Sequence, residues 1–428
     1  MRPTAFLLNP SGLPGTTANR EGSAGMGVSG DRPGGFVYPP HLLASVAAVL
    51  RAENWRIKGL DAVALGLDTE TVLDRLPNTD VLVVPVSYGT LAADRAFLNL
   101  LRERKPLLKV LAIGPALSYP QVDHGLNDLV DLLITGEADL AVPAAAKRLL
   151  SGAFTPGEAV SPYTLAQTAY TPDGRLADLD ALPLPAWDLY HGKTHSYPFL
   201  TILSSRGCPA GCAFCPYVAA QGAQHRFQSP ARTAEELTYL VERFHPPRLI
   251  FRDPVFAHER NRVLALCSEL RHLRHAVPWE CESRPEHFDN RLLRALRDAG
   301  CDTIKIGLES ADPEVLISIG RVQDERSANA YLEQVAAVIA ECRQMGLVCR
   351  LFVMVGLSYQ TSEALGRTAD FLRQNRPQRL HVKPFQWYPG IALSQSFAPD
   401  AAEQAAFLRA AIEERPTLWR RVARRLAR

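Results

Sequence analysis

No cysteine precedes Cys208 in this 428-residue chain; all eight lie between Cys208 and Cys349. That distribution argues against the disulfide framework that staples small secreted domains, and it points to a reducing compartment. Long apolar runs are also missing. None approaches the roughly 20 residues needed to cross a bilayer. Met1 to Pro10 carries one early Arg and a short apolar stretch, too little for a secretory signal. The expected location is therefore cytoplasmic, with no membrane span. A strong charge of one sign is absent as well: the formal net charge is +2. So small a value gives no reason to expect nucleic acid as a partner. What is present is 47% hydrophobic and 21% charged residues, the balance of a globular protein, in a chain long enough for two domains.

The patterning predicts an α/β fold in two parts. In residues 1–150, Thr4 to Leu8, Val81 to Val86, Val110 to Ile113 and Leu132 to Ile134 are short apolar runs expected to be buried parallel strands. A Gly-rich stretch from Gly12 to Gly35 follows the first run. Tyr38-Pro39-Pro40 then precedes a helical pattern through Leu42, Val46, Val49 and Leu50. Strands alternating with helices predict a doubly wound, Rossmann-like parallel sheet whose ligands sit at the carboxyl ends of its strands. Those ends are Ser87 to Thr90, Gly114-Pro115 and Thr135 to Glu137. Residues 151–196 are rich in proline and read as a linker, with Asp178 to Pro185 extended over a neighbouring domain.

From residue 197 the alternation restarts. Strands are expected at 200–204, 248–251, 278–281, 303–308, 348–355 and 380–383. Thr233 and Glu236 predict a capping box, and Gly300 and Gly346 predict helix ends. Six strand–helix units to residue 395 suggest a partial (β/α)6 barrel. In the tail, 396–428, Trp419, Val422 and Leu426 make an apolar helical stripe among arginines.

Cys208, Cys212 and Cys215 form a C-x3-C-x2-C loop directly after the first strand of the second part. Thiolates are the usual ligands of iron–sulfur clusters. Three within eight residues can wrap a four-iron cube if the backbone bends tightly, and Gly207, Pro209 and Gly211 supply the bend. Three ligands leave one iron open to a small molecule. A structural zinc site would want a fourth ligand, and the nearest candidate, His225, is not at a usual finger spacing.

The loop, with Phe214 before its last cysteine, resembles the radical S-adenosylmethionine superfamily. That resemblance implies a 4Fe-4S cluster whose open iron binds S-adenosylmethionine, reductive cleavage to a 5′-deoxyadenosyl radical, and an electron donor such as flavodoxin or ferredoxin. It also implies cofactor contacts from Phe214, from Gly307-Leu308-Glu309-Ser310 through Glu309 and Ser310, from Arg321, and from Arg284 in Glu282-Ser283-Arg284. Phe251-Arg252-Asp253-Pro254 stands where many relatives have Gly-Gly-Glu, which makes Asp253 the candidate for the amino group. Tyr388-Pro389-Gly390 also recurs in relatives, where it walls the cavity.

The whole chain further resembles the subgroup with an N-terminal cobalamin-binding domain. The matching features are Asn9-Pro10, Tyr38-Pro39-Pro40, Ser87, Gly114-Pro115 and Gly136-Glu137. The resemblance implies cobalamin near Ser87, Thr90, Gly114, Gly136 and Glu137, and a methyltransferase acting on an unactivated carbon of a small biosynthetic substrate. Ring formation or rearrangement without net methyl transfer is the alternative within the family; a non-catalytic iron–sulfur or zinc protein is the alternative outside it. Many cobalamin domains carry Asp-x-His-x-x-Gly, whose His binds cobalt from below. Residues 1–150 hold only His41 and His124, neither in that context, and His41 is expected to be structural. Methylthio-transferring relatives need three further cysteines in the N-terminal domain, and this one has none.

Overall fold

The computed structural model describes residues 2–30, 38–119, 123–192, 197–273, 277–357, 359–393 and 400–411. The chain divides into two compact units. One comprises Met1–Gly207, Pro216–Pro247 and Tyr388–Gly390; the other comprises Cys208–Cys215, Arg248–Trp387 and Ile391–Arg428.

The first unit is built on strands β1 (Thr4–Asn9), β2 (Arg56–Asp61), β3 (Val81–Pro85), β4 (Lys109–Ile113), β5 (Leu132–Ile134) and β6 (Glu158–Val160). They form one parallel sheet in the order β2-β1-β3-β4-β5-β6. The chain steps to opposite sides of β1 to make β2 and β3, so a topological switch point lies between β1 and β3. Helices α1 (His41–Ala52), α2 (Thr69–Arg75), α3 (Leu91–Arg104) and α4 (Val142–Ser151) connect the strands. Alternate residues of the strands face opposite sides. Phe6, Leu8, Leu82, Val84, Val110 and Ala112 share a core with Leu73, Phe97 and Leu101 of α2 and α3. Each fully buried aliphatic side chain there contributes about 1.5–3 kcal/mol.

All four strands expected in this unit form. β2 and β6 were not expected, for different reasons. The sequence of β2, RIKGLD, is half exposed and carries charges, so no apolar run marks it; its register along β1, from Thr4 opposite Arg56 to Asn9 opposite Asp61, decides its conformation. β6 has three residues inside the proline-rich segment and pairs with β5.

The rest of 151–196 is bound to the same unit. Trp187 is fully buried, the Tyr190 hydroxyl donates to the Leu7 carbonyl at 3.3 Å, and Tyr190 packs on Gly59, whose missing Cβ leaves the room. Asp178 to Pro185 runs along helix α5 (Pro230–Phe244). Arg232 donates to the Leu182 carbonyl at 3.0 Å, and the Ser229 amide donates to Asp180 at 2.8 Å. The capping box expected at Thr233 does not form. Helix α5 starts a turn earlier, with Ser229 accepting from the Arg232 amide and Pro230 at the first helical position. A proline suits that position because its missing N–H would have no partner there. Thr233 is buried inside the helix, where its hydroxyl donates to the Ser229 carbonyl.

All six strands expected after residue 197 form. β7 (Leu200–Ile202) belongs to the first unit. The second unit holds β8 (Leu249–Phe251), β9 (Trp279–Glu282), β10 (Cys301–Glu309), β11 (Val348–Val355) and β12 (Arg379–Pro384), parallel and adjacent in that order. Helices α6 (Arg260–Leu270), α7 (Asn290–Asp298), α8 (Glu325–Met345), α9 (Ser362–Asn375) and α10 (Ala401–Ala410) accompany them. As expected, α8 ends at Gly346, which adopts φ 73°, and Gly300 after α7 adopts φ 97°. The tail stripe at Trp419, Val422 and Leu426 lies outside the described residues. Among the described residues no helix is long and apolar enough to cross a membrane.

Candidate metal and cofactor site

The cysteine loop bends where its glycines stand. Gly207 adopts φ 81°, and a Cβ there would meet the Gln224 carbonyl oxygen at 2.0 Å; Gly211 adopts φ 66°. Within the second unit the loop is held by backbone bonds. The Ala213 amide donates to the Ile319 carbonyl at 2.9 Å, the Leu393 amide donates to the Ala213 carbonyl at 2.9 Å, and the Cys215 amide donates to the Cys212 carbonyl at 3.2 Å. Cys208 and Cys212 are buried, while Cys215 and Phe214 are half-buried.

Two arginines converge on this loop. Arg284, just past β9, donates through Nη1 to the Cys212 sulfur at 3.2 Å, and Arg321 approaches the same sulfur through Nη1 at 3.6 Å. Arg284 Nη2 also donates to the Arg321 carbonyl at 3.0 Å, which ties the pair together. Burial pushes the Cys208 thiol up, and the nearby charges of Arg284 and Arg321 oppose that shift. Metal ligation requires thiolate, so cations at this place favour it.

Arg321 is itself fixed. Its Nε donates to the Tyr331 hydroxyl of α8 at 2.8 Å, its Nη2 donates to the Gly307 carbonyl at 3.2 Å, and it lies 3.9 Å from the Glu309 carboxylate. Glu309 ends β10 with φ 63°, a left-handed conformation costly for a residue with a side chain. Its carboxyl is raised above the ordinary range by burial, with Arg321 pulling the other way. Gly307 makes this arrangement possible: a Cβ there would stand 2.1 Å from Glu309 Oε1 and 2.8 Å from Arg321 Nη2.

Of the residues singled out from the sequence, Cys212, Arg284, Arg321 and Glu309 are thus brought together in one unit. Ser310 turns elsewhere. Its hydroxyl accepts from the Asp312 amide at 3.1 Å and meets the Thr368 hydroxyl at 3.3 Å, a prop for the turn after β10. Asp253 is wholly buried two residues past β8. Tyr331 carried no signal in the sequence beyond its helical spacing.

In the first unit the strand ends carry a buried polar network. The Ser87 amide and the Thr90 hydroxyl donate to Asp94 Oδ2 at 3.2 and 2.8 Å, and the Ser87 and Thr90 hydroxyls meet at 2.7 Å. Arg20 Nε donates to Asp94 at 2.8 Å, and Arg20 Nη1 donates to Asn9 at 2.9 Å. Asn9 in turn donates to Asp61 at 2.8 Å, as does the Tyr197 hydroxyl at 2.7 Å. Burial raises the carboxyls of both Asp61 and Asp94. Ser87 and Thr90 therefore sit in a network that the sequence reading, lacking Arg20 and Asp94, did not anticipate. Gly114 and Gly136 serve close backbone approaches. A Cβ on Gly114 would meet the Val86 oxygen at 2.2 Å, and one on Gly136 would meet the Gly174 oxygen at 2.8 Å.

Glu137 anchors two arginines. Arg206 donates to it at 3.0 Å and Arg226 at 2.6 Å, while Arg206 also bonds Asp139 at 2.8 and 3.0 Å. His41 is structural, as expected. Its ring stands 3.3 Å from the Thr201 carbonyl and packs edge-on to Trp187.

The family model "Radical SAM superfamily" matches residues 202–372. An uncharacterized methyltransferase of Pyrococcus horikoshii is 23% identical over 375 residues, 84% of this chain and 78% of that protein. The bacteriochlorophyllide d C-8(2)-methyltransferase of Chlorobaculum tepidum is 22% identical over 341 residues, 74% of this chain and 68% of that protein. Among solved structures, the radical S-adenosylmethionine methyltransferase TsrM from Kitasatospora setae, with cobalamin and a 4Fe-4S cluster bound, superposes with a TM-score of 0.69 at 15% identity, over 92% of this chain and 77% of that one. The two α/β units share their fold with that enzyme, and residues 202–372, with the cysteine loop near their start, are a domain of the radical S-adenosylmethionine superfamily.

Proposed function

We propose that the protein is a cobalamin-dependent radical S-adenosylmethionine enzyme that transfers a methyl group to an unactivated carbon of a small molecule. The observation that carries this reading is the loop of Cys208, Cys212 and Cys215 with the guanidinium groups of Arg284 and Arg321 directed at one sulfur. The donor set fits an iron–sulfur cluster: three thiols within eight residues, two of them buried, with compensating cations beside them. A cluster held there supplies the electron that cleaves S-adenosylmethionine.

The chain's own residues then divide the work. Cys208, Cys212 and Cys215 hold the metal. Glu309, beside Arg321, would accept hydrogen bonds from the cofactor, and Arg321 would take the cofactor's carboxylate. Arg284 braces Arg321 and the loop, Phe214 would contact S-adenosylmethionine, and Asp253 is the candidate for its amino group. Ser310 props the turn that follows Glu309, through the Asp312 amide and the Thr368 hydroxyl. An electron donor of the flavodoxin or ferredoxin type completes the set.

Cobalamin would be held by residues 1–150, at the strand ends near Ser87, Thr90, Gly114, Gly136 and Glu137. The side chains there are small or already bonded within the protein, and His41 is held at Thr201. Cobalamin would act as methyl carrier.

Anaerobic reconstitution of the cluster, with cobalamin, S-adenosylmethionine, a reductant and the substrate supplied, tests the reading. It predicts both 5′-deoxyadenosine and S-adenosylhomocysteine; the nucleoside alone would indicate rearrangement without methyl transfer, and neither would contradict the proposal. A second expectation concerns Gly307→Ala. The added methyl displaces the Glu309 carboxylate or Arg321, so S-adenosylmethionine affinity, measured by calorimetry, should fall about tenfold, some 1.4 kcal/mol. The unfolding midpoint should fall as well, because Arg321 is held by Tyr331 and the Gly307 carbonyl and Glu309 is buried beside it.

A further inference from the structure

The second sheet has two unlike faces. Along β11, Leu351, Val353 and Val355 are fully buried, whereas Arg350 and Phe352 are partly exposed. Along β12, Val382 is buried while Arg379, His381 and Lys383 are exposed. The parallel register sets Arg350 opposite Arg379, Phe352 opposite His381 and Met354 opposite Lys383. Paired residues share a face. One face is thus apolar and packed with helix α8, and the other carries a cationic column backed by an aromatic ring.

Lys383 is the member of that column nearest the carboxyl end. Its Nζ lies 4.5 Å from the centre of the Phe352 ring, and the His381 ring lies 5.5 Å from the same ring. Among the described residues no ion pair involves Lys383. Its charge acts on Glu309, at the end of β10. An ammonium over a ring, within electrostatic reach of the cofactor-binding carboxylate and without a carboxylate of its own, is an unfilled anion contact.

Lysines also protect edge strands from pairing with other chains. Here that role is filled: α10 packs along β12, and Arg409 of α10 donates to the Val382 carbonyl at 3.3 Å.

We infer that Lys383, framed by Phe352 and His381, binds an anionic group of the substrate, a carboxylate or a phosphoryl. The inference rests on reading the residues around Glu309 as the cofactor site, and it narrows the substrate to small anions. The aromatic ring beneath the ammonium favours a substrate with an apolar body next to its charged end.

The test uses the full chain, anaerobically reconstituted and saturated with S-adenosylmethionine so that the cofactor's own carboxylate site is filled. Inorganic phosphate and acetate are titrated separately by calorimetry. Saturable binding of either ion is expected, the tighter one naming the group. Lys383→Gln should weaken it about tenfold, the loss of one charge-assisted contact of some 1.4 kcal/mol, and Lys383→Arg should restore most of it. S-adenosylmethionine affinity should change much less than anion affinity across the three proteins, because Lys383 reaches Glu309 only through its charge. No saturable binding of either ion, or equal binding by Lys383→Gln, overturns the inference while leaving the cofactor reading in place. Failure of S-adenosylmethionine itself to bind would instead sink that reading; the same titration without it then decides the anion contact alone.

Discussion

Cys212→Ala is expected to lose the cluster: iron should fall from about four atoms per chain to background after anaerobic reconstitution. Cleavage of S-adenosylmethionine should fall with it. Cys212 is the sulfur on which Arg284 and Arg321 converge. Its removal takes one ligand of three and leaves two guanidinium groups facing each other without the thiolate between them. The same substitution elsewhere should behave differently. Cys281 and Cys342 are buried in strand β9 and helix α8 of the second unit. Cys281→Ala and Cys342→Ala should keep their iron and cost only a small cavity, about 1–2 kcal/mol in the unfolding midpoint. Iron analysis of the three variants side by side makes the comparison. Equal iron in all three would mean that the loop does not hold the metal.

Arg206→Met is expected to destabilise the first unit by about 3–5 kcal/mol. Arg206 is fully buried between Glu137 and Asp139 and bonded to both. Methionine matches its length but leaves Asp139 with the Ser45 hydroxyl at 2.8 Å as its remaining side-chain donor. Glu137 keeps Arg226, so the damage centres on Asp139.

The pH dependence follows from the same contacts. Burial works to raise the Asp139 carboxyl, yet the charge and hydrogen bonds of Arg206 prevail and hold it at about 2, below its ordinary 3.8. A carboxyl depressed on folding contributes stability above its unfolded value. That contribution is lost as pH falls from about 4 towards about 2. In Arg206→Met the depression disappears and unopposed burial raises the carboxyl instead, so the variant should show no acid loss from Asp139 and should regain part of its lost stability as pH falls. Fluorescence-detected urea unfolding at neutral and mildly acid pH measures both effects. Asp139→Asn in the Arg206→Met background should recover part of the loss, since a neutral amide no longer carries a buried charge. An unchanged midpoint in Arg206→Met would show that the buried pair contributes nothing net.

The cysteine loop, the strand ends and the glycine stops were legible because each is local. A C-x3-C-x2-C spacing, a short apolar run or a glycine after a helical stripe carries its meaning within a few residues. Glu309 was legible as a motif, but its left-handed backbone and the room left by Gly307 are properties of the folded turn. The Arg206, Glu137 and Asp139 cluster was not legible, since its members lie 67 and 69 positions apart and no spacing rule connects them. The same holds for Arg20 and Asp94, 74 positions apart. Strand β2 was hidden because its own pattern is that of a charged, half-exposed segment and only its neighbour makes it a strand. At helix α5 the signal was present and misread. Ser229-Pro230 is the ordinary start of a helix, and the Thr233 to Glu236 pattern competed with it one turn further on.

A single absorption spectrum of the protein, purified anaerobically with cobalamin supplied during growth, reports on both the cluster and the cobalamin. The expected spectrum is a broad charge-transfer band that bleaches on reduction, from the iron–sulfur cluster, superposed on the sharper bands of bound cobalamin, with iron at about four and cobalt at about one per chain. Cys212→Ala should lose the first feature and keep the second. A spectrum with neither feature, or a protein that carries zinc in place of iron, would contradict the proposed function.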